Sequence, residues 1–180
     1  MQSARHVSFF ADMPVKVEYN IEGLKAEITD AVMREIPDVV KVLQYVGEMC
    51  VNEARTKGNY MDRTGNLRSS TGYIIVVGGE IVDDGGFQVI QGTHTSKSGD
   101  VSTFSGDEGA KKGREYAETL AATIEENQIA LIVVAGMEYA KYVESKENYE
   151  VLSSAELLAK NVIPGMLNRL FNENGNTGTE

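Results

Sequence analysis

Apolar positions recur every three to four residues over the first third of the chain. Leu24, Ile28 and Val32 begin a stripe that Val39, Leu43, Val46 and Cys50 continue. This predicts one amphipathic helix over about 21–57. Pro37 lacks an amide donor and crowds the preceding turn, so a kink or short break is expected near Ile36, with Asp38 opening the second half. Gly58 supplies the stop. Ahead of the helix, residues 1–14 show no period and read as an N-terminal arm. Val15, Val17 and Tyr19 then alternate with polar residues as a short strand.

Beyond Asp62-Arg63-Thr64-Gly65-Asn66-Leu67-Arg68-Ser69-Ser70 the period changes. Tyr73 to Val77 is β-branched and aromatic, which predicts a strand. Gly78-Gly79 suggests a bulge before Glu80-Ile81-Val82, Asp83-Asp84-Gly85-Gly86 a turn, and Phe87 to Gln91 a return strand. Residues 92–113 are rich in Thr, Ser, Gly, Lys and Asp, with Val101 and Phe104 as the buried-looking exceptions. They read as a flexible surface loop. Arg114 to Glu126 is helical, with Tyr116, Leu120 and Ile124 on one face beside Ala117 and Ala121. Gln128 to Gly136 is the most hydrophobic strand and is expected at the centre of the sheet, covered by the helix around Leu43. A last helix starts near Ser153, where Ser153 and Glu156 have capping-box spacing. Its apolar face is Leu157, Leu158, Val162, Met166, Leu167, Leu170 and Phe171. Pro164-Gly165 is expected to bend or split it, and residues 172–180 to fray. The expected fold is a single α+β domain over 1–180: a long kinked N-terminal helix and a C-terminal helix packed on a small, mainly antiparallel sheet.

Composition narrows the function. The apolar fraction of 42% and the charged fraction of 24% suit an ordinary soluble domain. A net charge of −10, without a basic patch, argues against binding a nucleic-acid backbone. The single cysteine excludes an intrachain disulfide and fits a reducing compartment. No signal-peptide pattern opens the chain, and Ile129 to Met137 is too short to span a bilayer. A soluble protein made in the cytoplasm is expected.

The chemistry looked for is missing. No Ser-His-acid order or G-x-S-x-G elbow stands out, and the glycines of 92–113 lack phosphate-loop spacing. His94 has no ligand-spaced Cys or His, and Asp83-Asp84 reads as turn residues rather than a metal site. Cys50 lies on the apolar stripe and reads as an inert core thiol. Eight Tyr and five Phe form no stacking platform among basic residues. No catalytic, cofactor-binding or metal residue is expected.

Two stretches say more together than apart. Asp62-Arg63-Thr64-Gly65-Asn66-Leu67-Arg68, followed by a sheet and then by Ala135-Gly136-Met137-Glu138-Tyr139-Ala140-Lys141-Tyr142-Val143-Glu144, resembles the tail-completion (minor tail, head–tail joining) proteins of tailed bacteriophages. In that family a long helix leads to a D-T-G-x-L-R turn, then a sheet, then V-G-x-x-x-x-Y-A-x-Y-V-E-x-G-T and a C-terminal helix. The order is similar here from about Ile21 to Phe171. This chain inserts Arg63 between the acid and the threonine, carries Ser145-Lys146-Glu147 where the family has its G-T, and holds an apparent insertion over about 92–126.

The resemblance implies a virion protein of the neck. It would be assembled in the host cytoplasm as a homo-oligomeric ring between the head connector or adaptor and the tail tube or terminator, without enzymatic activity or cofactor. It marks Arg63, Thr64, Gly65, Asn66, Leu67, Arg68, Glu138, Tyr139, Tyr142 and Glu144 as motif and interface residues. Thr64 and Asn66 are expected to bond nearby backbone, Leu67 to anchor the turn, and Arg68 to pair with Glu138 or Glu144. No sequence-specific nucleic-acid contact and no membrane contact is implied, and an acidic lumen would let DNA pass without sticking. A second reading remains beside it: a small-ligand-binding or enzymatic α+β domain with its site in the 92–113 loop.

Overall fold

A computed structural model of the chain describes residues 21–60, 63–96, 98–146 and 150–176. The predicted arm at 1–14, the strand at 15–19 and the end of the tail lie outside them. The helix α1 runs from Ile21 to Lys57 with Pro37 inside it, so the expected break is absent. A boundary between two compact units nevertheless falls there, with residues 1–36 in one and 37–180 in the other. In the first unit, Val32 and Met33 lie exposed on their helical turn.

The second unit is built on a three-stranded antiparallel sheet. Its strands are β1 (Thr71–Val77), β2 (Glu80–Gly86) and β5 (Ile129–Ala135), in the order β2-β1-β5. β1 is therefore central, and the more apolar β5 is the outer strand among the described residues. Gly78 and Gly79 both take positive φ, 61° and 82°, and make the tight β1–β2 turn that two left-handed residues allow. The expected turn at Asp83–Gly86 is instead part of β2, and the register shift lies opposite Ile75 and Val76. Asp83 and Asp84 thereby become strand residues: Asp83 accepts from the Tyr73 hydroxyl at 3.2 Å, and Asp84 pairs with Arg114.

β1 is buried on both faces, which explains its unbroken apolar run. Tyr73 and Ile75 cluster with Leu43 and Val51 of α1, with Leu131 and Val133 of β5 packed against them. The packing expected for Leu43 is therefore present. Ile74 and Val76 face the other way, onto Ala117 and Ala121 of α3 (Asp107–Ala121). That helix starts well before the expected Arg114, and its buried face is Gly109, Gly113, Ala117 and Ala121. Tyr116, assigned to the apolar face by sequence, is exposed. Small residues at four-residue spacing bring α3 close to the backbone of Asn66 and Ser70.

The supposed loop at 92–113 is largely ordered as a two-stranded ribbon, β3 (Gln91–Thr95) and β4 (Val101–Ser105), followed by the first turns of α3. Cross-strand Thr93 and Thr103 suit an extended backbone even though the composition is polar. Val101 is exposed, not buried. The last helix, α5 (Ser153–Asn176), begins where expected and runs through Pro164 without a break. Val162, Ile163 and Met166 pack against Val46, Cys50 and Ala54. The Cys50 thiol lies within this core, 3.5 Å from the Ala155 carbonyl oxygen. Burial, then the charge of Glu53, pushes its pKa up, as an inert thiol requires. The fold is α+β, with helices on both faces of a small antiparallel sheet.

Candidate functional site

The two matching stretches are far apart in sequence and meet in space. After α1, the chain turns at Gly65 into the one-turn helix α2 (Asn66–Ser69), closed by Ser69 and Ser70 amides donating to the Gly65 and Asn66 carbonyls. Leu67 drops from this turn into a cluster with Tyr60, Ala135, Met137, Ala140 and Val151. The second stretch supplies three of those partners and continues into α4 (Ala140–Glu144). The Gly136 amide donates to the Ser70 carbonyl at 3.2 Å and stitches the stretches together. Leu67, 2% exposed, is the apolar pin of the junction, as expected of it.

Gly65 is required twice over. Its φ of 72° lies in the left-handed region, and a Cβ there would stand 2.6 Å from the Ile90 carbonyl oxygen and 2.9 Å from the Phe104 ring. The ribbon β3–β4 therefore docks on the motif turn through Phe104. Neighbouring hydroxyls and amides complete the docking. Ser69 Oγ accepts from the Ile90 amide at 2.8 Å, and Asn66 Oδ1 accepts from the Gly109 amide at 3.1 Å, in the first turn of α3. Thr64 Oγ1 accepts from the Asn66 amide at 3.4 Å. Asn66 was expected to bond nearby backbone, but its side chain reaches another element.

The charged residues correct the expected pairing. Arg68 Nη2 donates to the Gly58 carbonyl at 2.7 Å and to that of Tyr60 at 3.5 Å, with the guanidinium 5.3 Å from the centre of the Tyr60 ring. It clips the chain leaving α1; its described bonds do not go to Glu138 or Glu144. Glu138 is exposed. Glu144 is engaged elsewhere: its Oε1 accepts from the amides of Val151, Leu152 and Ser153 at 3.4, 2.9 and 2.7 Å and from the Ser153 hydroxyl at 2.8 Å. This carboxylate caps α5, so the capping box read at Ser153 and Glu156 does not form; Glu156 pairs with Lys160 instead. Partial burial pushes the Glu144 carboxyl up, but the bonds from Leu152, Ser153 and Val151 outweigh it and hold it below its ordinary value.

The outward side of the junction is aromatic. Tyr139 is 40% and Tyr142 63% exposed, with Lys146 Nζ 4.4 Å from the Tyr142 ring centre. Arg63 and Thr64 are also exposed. Sequence reasoning missed Arg55, a central residue of the arrangement. From the last turn of α1, its Nε donates to the Arg68 carbonyl at 3.3 Å and its Nη2 to the Thr71 carbonyl at 3.0 Å, on both sides of Ser69-Ser70. A basic residue in a last helical turn was the available signal.

No group of three or more His, Cys, Asp or Glu among the described residues is arranged to hold a metal ion, and no described helix is long and apolar enough to cross a membrane. Compared with models of known families, with characterised proteins and with solved structures, the chain finds no match.

Proposed function

We propose that this chain is a structural virion protein of a phage or prophage neck, a ring-forming tail-completion component between the head connector and the tail tube. One observation carries the reading. The two stretches that resemble the tail-completion family form a single junction around Leu67, with Met137 and Ala140 inside it and Tyr139 and Tyr142 left on the surface. Exposed tyrosines on a rigid support are the side chains that protein interfaces favour, because they bury a large area at small entropic cost. The motif residues thus divide into an inner set that shapes the turn and an outer set that meets a neighbouring subunit.

Native mass spectrometry at increasing protein concentration tests this reading. A closed oligomer of one stoichiometry, growing at the expense of the 19.6 kDa monomer, is the expected result. A monomer at every concentration that retains a bound metabolite would instead favour a small-ligand-binding domain.

A further inference from the structure

A polar groove of about 400 Å³ opens beside the second half of α1, lined by Tyr45, Glu48, Asn52, Arg55 and Gln88 among others. Lys41, Lys111, Lys112, Arg114 and Lys160 each have a carboxylate within ion-pair distance. Arg55 is one of several described cations outside any described ion pair, and it is the one that lines this groove. It is also half-buried, and burial lowers its pKa against the opposing influence of Glu48. The Arg68 and Thr71 carbonyls hold one side of the guanidinium. Among the described residues its other branch, Nη1, meets only the exposed Gln88 Oε1, at a long 3.4 Å.

We propose that this groove recognises a single carboxylate that carries an amide N–H beside it, as an N-acylated neutral amino acid or a side-chain carboxylate of a protein chain does. A guanidinium already fixed by two carbonyls has lost much of its rotamer freedom, so less entropy remains to be lost when it binds. Its planar fork matches two carboxylate oxygens, and displacing the 3.4 Å bond to Gln88 sacrifices little. Glu48, on the same groove wall, accepts from the Tyr73 hydroxyl at 3.3 Å and keeps acceptor capacity for a ligand N–H. Its negative charge also disfavours a dianion such as phosphate. In a protein of net charge −10, a fixed cation outside any described ion pair offers an acidic neighbour an attractive partner, and Glu48 on the same wall limits that attraction to a single negative charge.

N-acetylglycine, a monoanion with an amide N–H beside its carboxylate, is the probe, followed through the Arg55 Nε–H and Gln88 side-chain resonances by NMR. Saturable shifts confined to the groove are expected for the wild type. Q88E leaves both carbonyl anchors of Arg55 in place and sets a carboxylate against Nη1, so it should weaken the probe roughly tenfold or more. R55Q should do the same, with its melting curve recorded because the anchors are lost. No shift in the wild type, or equal shifts in Q88E, would overturn the site. Sedimentation of wild type and Q88E separates the sources: weaker self-association in Q88E identifies a second copy as the carboxylate donor, and unchanged association with probe binding lost identifies a free ligand. Probe binding does not depend on ring formation, so a failed groove and a failed ring are told apart.

Discussion

Two regions meet at Gly65 and are held by different means. On one side, Leu67, Tyr60, Met137, Ala140 and Val151 fill a shared apolar space, and Arg55, Arg68 and Glu144 fasten backbone around it. On the other, the β3–β4 ribbon is mostly exposed and polar, and it rests on the turn through the Phe104 ring and the Ser69–Ile90 bond. Two strands alone are marginal in water, so the ribbon depends on that docking. The junction owes its order to burial and the ribbon to attachment. Substitutions should therefore have global effects in the first region and local effects in the second.

The largest effect is expected at Leu67. Leu67→Ala empties a closed site and should cost about 2–5 kcal/mol in a denaturant titration. A loss near zero would mean that the junction is not a core. Next comes Gly65→Ala, where the left-handed backbone alone costs about 1–2 kcal/mol and the Ile90 carbonyl leaves no room for the methyl group. This substitution strikes both regions, so thermal unfolding and ribbon protection should fall together.

Phe104→Ala sharpens the contrast. The ring is only half-buried, so a cost of about 1–2 kcal/mol is expected, with faster amide exchange confined to 91–105. Equal acceleration in β1 and β5 would erase the distinction between the regions. The smallest effect concerns Glu144. Glu144→Ala removes the cap of α5 at a cost of about 1 kcal/mol. Because the folded carboxyl lies below its ordinary 4.5, its contribution is full above that value and is lost as pH falls through the folded pKa. Exchange at Leu152 and Ser153, corrected for the intrinsic rate, should quicken in acid in the wild type and show no such step in the variant.

Much of the framework was legible in the sequence because burial imposes periodicity. The stripe through Leu43, Val46 and Cys50, the run from Tyr73 to Val77 and the Ser153 helix start all correspond to real elements. The errors have physical causes. Gly78-Gly79 suggests a bulge by sequence, yet two residues free to take positive φ make the tightest hairpin turn. Polar composition hid β3–β4, since a ribbon exposed to water carries no apolar alternation. Glycine and alanine hid the packing face of α3, where closeness rather than hydrophobic bulk makes the contact. At the site, Leu67 was legible as an apolar residue within a turn. The tasks of Arg55, Arg68 and Glu144 were not, because each binds backbone carbonyls or amides, and sequence does not reveal which of these lie nearby.

The central claim is that the junction forms a rigid base whose exposed tyrosines bind a neighbouring copy. Sedimentation velocity on the wild type and on a Tyr139→Ala/Tyr142→Asp double variant tests it most directly. The account predicts that the wild type passes from monomer to one discrete larger species as concentration rises, while the folded variant remains monomeric over the same range. A wild type that stays monomeric throughout, or a variant that assembles equally well, would contradict it.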